Sequence, residues 1–263
     1  MSVIPPLEEK ASYIKRSFAD IATTYDRTNS VMTFGMHQLW RHYVVEAMAA
    51  PVDGRALDVG TGTGDFLPLL SAWMPHGMAV GVDFCLPMMH AGQAKLDSSP
   101  ASDIAAETVN HNGHPEFQLP DTGKAGMIAL VGGDGLMLPF ADNSFDVITT
   151  GFVMRNVTNI GAAFAEMWRV TRPGGTVGCL EVAQPKNPLL RLGHGVYFHQ
   201  IVPWIGGMLS GNYRFYRYLP RSATLFPAPD QLAQIMQAAG WQHVHYRLLG
   251  FGAVAVHVGV KLP

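Results

Sequence analysis

Short apolar runs alternate along most of the chain with longer stretches in which apolar positions recur at helical spacing. The apolar runs cover residues 57–60, 79–82, 128–131, 145–150 and 176–182. Strands that alternate with helices form parallel sheets, because each parallel connection has to cross over the sheet. Residues 243–249 and 253–260 differ, because only Gly250-Phe251-Gly252 separates them and this favours an antiparallel pair. We therefore predict an α/β fold, a doubly wound and mostly parallel sheet with an antiparallel C-terminal strand.

The N-terminal part of the chain has no strand pattern. Residues 8–50 show amphipathic helical spacing, with a break near residues 29–35. We predict an N-terminal helical cap at residues 1–50 and a main domain at residues 51–263.

Two segments of the main domain lack the regular alternation. Residues 97–126 are rich in turn-forming residues, which predicts a surface insertion. Residues 189–211 are apolar and aromatic, and Pro203 and several glycines argue against one long helix. The surrounding segment 186–227 is predicted to cover a bound acceptor. A bilayer-docking surface, a dimer interface and an ordinary core helix stay open.

The composition narrows the class of protein. Apolar residues make up 48% of the chain and charged residues 14%, with a formal net charge of −2. This composition is globular, and the absence of a strongly basic balance argues against a nucleic-acid partner. Two cysteines do not indicate a disulfide framework, and His111 and His114 lack an obvious third metal ligand. Without a leader-like N-terminus or a run of about 20 apolar residues, we expect a cytoplasmic protein, peripheral to a membrane at most.

The glycine-rich stretch Gly60-Thr61-Gly62-Thr63-Gly64 directly follows the first predicted strand. Glycine is required where the backbone passes close to a ligand or where φ is positive. The G-x-G-x-G spacing differs from the G-x-G-x-x-G of dinucleotide sites and therefore disfavours an NAD-dependent dehydrogenase. A tight turn of this kind suits a compact amino-acid-like group. The carboxylate of Asp58, at the end of the strand, could orient the backbone amides of the loop or meet a cationic amine of the ligand through water.

Two further acidic residues follow the next two strands. Asp83 ends the second predicted strand, and a carboxylate there can accept hydrogen bonds from both hydroxyls of a ribose. Asp134 follows the third strand beside Gly135, where it could accept a hydrogen bond from an adenine amino group. Ligands of open α/β sheets bind at the carboxyl ends of strands. The three signals together predict a nucleoside site.

Several motifs resemble the ubiquinone/menaquinone biosynthesis C-methyltransferases, which are class I S-adenosylmethionine-dependent methyltransferases. The most specific is Met154-Arg155-Asn156-Val157-Thr158-Asn159. The other matching stretches are residues 18–29, 34–41, 138–146, 169–175 and 255–261. The resemblance spans nearly the whole chain except residues 97–126.

The resemblance implies S-adenosylmethionine as the cofactor. The predicted cofactor site comprises Asp58, Gly60, Thr61, Gly62, Thr63, Asp83, Phe84, Asp134, Gly135 and Gly151. The chain departs from the family pattern at residues 151–154 and 181–185. These positions are expected to line the acceptor side, so they bear on the identity of the acceptor more than on the cofactor.

The family methylates a ring carbon of a prenylated hydroquinone, and the resemblance implies the same reaction here. Arg155 is the predicted catalytic residue, because a guanidinium can stabilise a phenolate and hold a water that relays the proton. Asn156 is predicted to hydrogen-bond the acceptor or the cofactor, and Tyr25 to close the pocket. The implied partner is a hydrophobic, quinol-like small molecule, and a homodimer stays open.

Two other functions remain open at this point. One is methyl transfer to another small phenolic or lipid-like acceptor, which the departures at residues 151–154 and 181–185 motivate. The other is a non-catalytic nucleoside-binding protein, which the intact Arg155-Asn156 pair disfavours.

Overall fold

The computed structural model describes residues 5–98 and 125–263. Its strands are β1 (Arg55–Val59), β2 (Met78–Asp83), β3 (Met127–Gly132), β4 (Phe145–Gly151), β5 (Thr171–Val182), β6 (Gln242–Leu249) and β7 (Val254–Val260). They form one sheet in the order β3-β2-β1-β4-β5-β7-β6. Strands β1 to β5 pair in parallel, and β7 runs antiparallel to both β5 and β6. The predicted fold class and the antiparallel C-terminal pair are confirmed.

Helices precede and connect these strands. They are α1 (Leu7–Ile21), α2 (Tyr25–Thr33), α3 (Met36–Met48), α4 (Leu67–Trp73), α5 (Leu86–Ser98), α6 (Ile160–Val170), α7 (Pro188–Val196), α8 (Val202–Ser210), α9 (Tyr213–Thr224) and α10 (Pro229–Ala238). The predicted insertion at residues 97–126 lies outside the described residues except at its two ends.

Both faces of the sheet are covered by helices. Neighbouring residues of a strand point to opposite sides, so one strand contributes to the core on each face. On one face, Leu57 of β1 packs in a core cluster with Phe164 of α6. On the other face, Ala56 of β1 shares a cluster with Val44 of α3 and Leu67 of α4. The third N-terminal helix therefore belongs to the core of the sheet, and the domain division at residue 50 stays a prediction.

The first two helices belong to a further layer. Ile14 and Ile21 of α1 pack against Phe215, Tyr216 and Tyr218 of α9, and α2 contacts α8. Residues of α1 and α2 line the same cavity as the glycine-rich loop. This helical layer therefore lies over the carboxyl ends of β1 and β2.

The apolar segment at residues 189–211 follows one helical path. This corrects the prediction, made from Pro203 and the glycines, that the segment does not form one long helix. Helices α7 and α8 are joined by a π-helical turn at Tyr197–Ile201. There the amide of Val202 donates to the carbonyl of Tyr197, five residues earlier. Pro203 lies in the first turn of α8, where a missing N–H costs little, so the helical path continues across the proline.

Other boundaries also differ from the sequence pattern. The N-terminal helices break twice, at residues 22–24 and at Phe34-Gly35, instead of once. Helix α9 was not predicted, because its many aromatic residues and Pro220 obscure the helical spacing. Among the described residues, no helix combines the length and the apolar character that crossing a bilayer requires.

Lys261, just after β7, fixes the end of the sheet. Its buried Nζ donates to Asn143 Oδ1 at 2.8 Å, to the Trp168 carbonyl at 2.9 Å and to the Thr171 carbonyl at 2.8 Å. The same Nζ lies 3.9 Å from the centre of the Trp168 ring. One ammonium group thus ties β7 to the loop before β4 and to the junction of α6 and β5.

We predict that Lys261→Met lowers the free energy of unfolding by about 2 kcal/mol or more, because three buried oxygen acceptors lose a charged donor. Urea denaturation followed by circular dichroism measures this change. Lys15→Met, at an exposed position of α1, is the matched control. Equal unfolding midpoints for the two variants would contradict the structural role of Lys261.

Candidate active site

The glycine-rich loop between β1 and α4 is pinned to the end of β2. The amides of Gly60 and Thr61 both donate to the carbonyl of Val82, at 2.8 and 3.1 Å. Gly60 has a φ of +71°, and a Cβ at this position would lie 2.5 Å from a methyl group of Val153. Glycine is therefore required at Gly60 for both its backbone conformation and its close packing.

Asp83, at the end of β2, organises the same loop. Its Oδ2 accepts the amide of Gly62 and its Oδ1 accepts the amide of Cys85, both at 2.8 Å. Burial raises the pKa of the Asp83 carboxyl, although the backbone hydrogen bonds partly oppose this. A carboxylate can accept about four hydrogen bonds, so Asp83 can still accept a hydrogen bond from a ligand.

One cavity collects most of the predicted cofactor residues at the carboxyl ends of the strands, and we name it the strand-end cavity. The predicted residues in its wall are Tyr25, Gly60, Thr61, Gly62, Thr63, Asp83, Phe84, Asp134, Gly135, Gly151 and Asn156. Asp134 is held in place because its Oδ1 accepts the amide of Leu136 at 2.9 Å. The order of the strands thus brings together residues that lie far apart in the sequence.

Asp58 is the predicted cofactor residue that is not in this wall. Its side chain is buried, and its Oδ1 accepts the hydroxyl of Thr149 on β4 at 2.8 Å. Burial raises the pKa of Asp58 to about 6, against the effect of its hydrogen bonds with Thr61 and Thr149. The structure therefore places Asp58 beneath the loop, held to β4 by Thr149.

A chain of charged side chains links the N-terminal helices to the loop, and the sequence analysis missed it. The hydroxyl of Thr63 donates to Asp26 Oδ1 at 2.5 Å. Lys95 bridges Asp26 and Asp65, at 2.9 and 2.8 Å, and Arg41 lies 3.0 Å from Asp65. Burial alone would raise the pKa of Asp65, but the two cations outweigh it and hold that pKa well below its usual value. The carboxylate that directly follows Gly64 was the available sequence signal.

A second cavity of about 490 Å³ adjoins the first, and we name it the apolar cavity. Its wall is mainly apolar and aromatic, with side chains from α2, α3, α7 and α8 and from the π-helical turn. Tyr25, Arg41 and Phe152 line both cavities. The two cavities therefore meet at these three residues.

Arg155 lies in the wall of the apolar cavity. Its Nη1 is 2.8 Å from Glu181 Oε2, and its backbone amide donates to Glu181 Oε1 at 3.2 Å. Glu181 is 1% exposed and also accepts the amide of Val182. The guanidinium stacks over Phe152, with Cζ 5.3 Å from the ring centre. Sequence reasoning missed Glu181 as the partner that orients Arg155.

Asn156 and Tyr25 complete the junction. The hydroxyl of Tyr218 on α9 donates to Asn156 Oδ1 at 3.3 Å. The side-chain Nδ2 of Asn156 donates to the carbonyl of Phe152 at 3.4 Å. Burial raises the pKa of the Tyr25 hydroxyl, which its hydrogen bond with Asn29 and the nearby arginines only partly offset. Tyr25 is therefore a neutral hydrogen-bonding group at neutral pH. Tyr218 was also missed, because its helix was not predicted.

The raised pKa of Asp58 predicts a pH dependence of stability. The folded protein binds the carboxyl proton of Asp58 more tightly than the unfolded chain does. The contribution of this proton to the free energy of unfolding is therefore full at low pH. It is lost as pH rises from about 4 to about 6. Asp58→Asn removes this titration, so across that range the wild-type free energy of unfolding should fall by about 2 to 3 kcal/mol relative to the variant. Urea denaturation at several pH values tests this, and parallel pH profiles would refute it.

Comparison with known proteins agrees with this geometry. A sequence model of the ubiE/COQ5 methyltransferase family matches residues 7–261. The demethylmenaquinone methyltransferase of Roseiflexus castenholzii is 52% identical over 260 residues, which cover 99% of this chain and 98% of that protein. The Thermus thermophilus protein of the same name is 35% identical and covers 92% of this chain and 98% of its own length.

Solved structures share the fold at low sequence identity. A SAM-dependent methyltransferase from Thermotoga maritima aligns with a TM-score of 0.57 and 19% identity, covering 93% of this chain and 98% of its own. Phosphoethanolamine N-methyltransferase 2 of Haemonchus contortus, in complex with S-adenosyl-L-methionine, aligns with a TM-score of 0.54 and 12% identity, covering 85% and 52%. From the match over almost its whole length, the chain belongs to the ubiE/COQ5 methyltransferase family.

Proposed function

We propose that this methyltransferase transfers the methyl group of S-adenosylmethionine to a ring carbon of a prenylated hydroquinone of the demethylmenaquinol type. The observation that carries the proposal is the meeting of the two cavities at Tyr25, Arg41 and Phe152, with Arg155 in the adjoining wall. The names of the Roseiflexus and Thermus relatives support the same acceptor class.

The strand-end cavity fits the methyl donor. Asp83 carries a buried carboxylate that forms no ion pair with another described residue, so its oxygens remain available to ribose hydroxyls. Asp134 Oδ2 accepts no hydrogen bond from another described residue and can take one from the adenine amino group, and Gly135 lets the backbone approach the ring. The glycine-rich loop leaves space for the methionine end. These residues together would hold the donor with its methyl group towards the junction.

Arg155 acts on the acceptor in this proposal. Bound S-adenosylmethionine supplies an electrophilic methyl carbon, and the carbon–carbon bond forms as the carbon–sulfur bond breaks and its electron pair goes to sulfur. Arg155 stabilises the phenolate that makes the adjacent ring carbon nucleophilic, and Glu181 fixes the guanidinium in place. A water hydrogen-bonded to Arg155 takes up the phenolic proton as the phenolate forms. After the transfer, the methylated ring carbon loses its proton to water and the phenolate oxygen regains one, so one proton is released overall. Much of the rate comes from the alignment of the two reactants across the junction.

A second acceptor class is supported by one difference in the cavity wall. Val182 lines the apolar cavity. It belongs to the stretch 181–185 that departs from the family pattern, which usually has phenylalanine at this position. Valine is smaller than phenylalanine and leaves more room, which suits a bulkier phenolic or lipid-like acceptor. Parallel turnover assays with demethylmenaquinol and with simple phenols separate the two, and activity on the phenols alone would favour the second class. A homodimer and a cytoplasmic, membrane-peripheral location stay predictions.

Asp83→Asn should weaken the binding of S-adenosylmethionine and of its demethylated product by about ten- to a hundredfold. The reason is that the variant loses charged hydrogen bonds to the ribose. Isothermal titration calorimetry measures both dissociation constants. Asp97→Asn, an exposed carboxylate near the end of α5, is the matched control. Unchanged affinity in a folded Asp83→Asn protein would remove Asp83 from the donor site.

Arg155→Ala should lower kcat by about 10² to 10³, because the variant loses hydrogen-bond donors that stabilise the transition state. The affinity for S-adenosylmethionine should stay unchanged. Arg16→Ala, at an exposed position of α1, is the control. Glu181→Gln should lower kcat less, and adding it to Arg155→Ala should cost little more, because both residues act through one guanidinium. Full activity of Arg155→Ala, or additive losses in the double variant, would contradict this mechanism.

A further inference from the structure

Helix α7 leaves its apolar side chains in solvent. The structure buries none of its residues, and Leu189 and Leu192 are 77% and 67% exposed. The same helical path continues through the π-helical turn into α8, where Trp204 and Met208 are each 60% exposed. With Val196 and Ile201, which are 45% and 41% exposed, these positions recur every three to five residues, so they form a stripe along one side of the path. A stripe of this size on a soluble protein marks an interaction surface.

Two exposed phenylalanines extend the stripe to the apolar cavity. Phe34 is 80% exposed and Phe251 is 87% exposed, and both line that cavity. The ring of Phe34 lies 6.2 Å from that of Tyr197 in the π-helical turn. Phe34 and Phe251 have φ values of +52° and +56°, a left-handed conformation that bulky residues rarely adopt. Strained residues that hold aromatic rings in solvent at a cavity mouth are typical of a functional surface.

The charge of this region is opposite in sign to that of the rest of the protein. Residues 182–229 contain five lysines and arginines and no aspartate or glutamate. The rest of the chain therefore carries 13 cationic residues against all 20 carboxylates. The five cations, Lys186, Arg191, Arg214, Arg217 and Arg221, are exposed and form no ion pair with another described residue.

We propose that a docking face, made of the apolar stripe, Phe34 and Phe251, binds an anionic lipid bilayer, with the exposed cations of residues 182–229 adding to the attraction. Exposed apolar side chains on a segment whose only formal charges are positive match a membrane interface, where the apolar groups enter the acyl boundary and the cations meet lipid phosphates. The face carries the mouth of the apolar cavity, so a prenylated acceptor reaches Arg155 directly from the bilayer. This last step rests on the proposed function, whereas the binding of lipid does not.

Vesicle sedimentation tests the docking face without any assay of catalysis. The wild-type protein should bind vesicles of phosphatidylcholine with 30% phosphatidylglycerol about tenfold more tightly than pure phosphatidylcholine, and added salt should weaken this binding. Leu192→Glu should lose most of the binding, because it places a carboxylate in the stripe. Leu262→Glu, an equally drastic change at an exposed leucine outside the face, should bind like the wild type.

The exposed cations of residues 182–229 have their own matched pair of variants. Arg217→Gln with Arg221→Gln should weaken binding to the anionic vesicles about tenfold. Arg16→Gln with Arg55→Gln removes the same charge elsewhere and should have a much smaller effect. Trp204 supplies an independent signal, since its fluorescence should shift to shorter wavelength with vesicles and the shift should vanish in Trp204→Phe.

Two results would overturn the proposal. The first is equal vesicle binding by Leu192→Glu and Leu262→Glu, or no binding by the wild type. The second is a wild-type dimer in sedimentation velocity that Leu192→Glu alone converts to a monomer, because the face would then be covered by a second copy.

Turnover of a short-tailed, water-soluble acceptor should be unchanged in Leu192→Glu. Failure of that turnover in the wild type would count against the proposed function and leave the lipid binding standing.

Discussion

The parallel pairing of β1 with β2 and β4 is the constraint from which the rest of the site follows. Because these strands run in the same direction and are buried on both faces, polar groups can reach a ligand only where the strands end. The carbonyl of Val82 anchors the glycine-rich loop, and Asp83 then fixes the amide of Gly62. Thr149 on β4 holds Asp58 under the same loop. The sheet thus determines the shape of the strand-end cavity before any ligand binds.

Ion pairs attach the N-terminal helices to this frame. The chain from Arg41 through Asp65 and Lys95 to Asp26 joins α3, the glycine-rich loop, α5 and α2. On the opposite side of the junction, the buried Glu181 at the end of β5 orients Arg155. Breaking a buried pair of this kind leaves an unpaired charge in the interior, which is strongly unfavourable. The N-terminal helices and the apolar cavity are therefore held in a fixed position relative to the strand-end cavity.

The sequence predicted the parts of the protein that have local signals. An apolar run followed by glycines or by an aspartate predicted the loop, Asp83 and Asp134, because each signal lies within a few residues of its strand. The pairing of Arg155 with Glu181 and that of Asn156 with Tyr218 depend on how distant elements pack, and no local pattern encodes them. The buried position of Asp58 has the same cause, since only the partner strand supplies the hydroxyl of Thr149.

Transfer of an isotopically labelled methyl group tests the central claim most directly, namely that donor and acceptor meet at the junction beside Arg155 and react at a ring carbon. The enzyme would be given S-adenosylmethionine with a ¹³C-labelled methyl group together with demethylmenaquinol, and the product would be analysed by nuclear magnetic resonance. The account predicts a labelled methyl group bonded to a ring carbon. A label on the phenolic oxygen, or no transfer by a protein that binds both compounds, would contradict it.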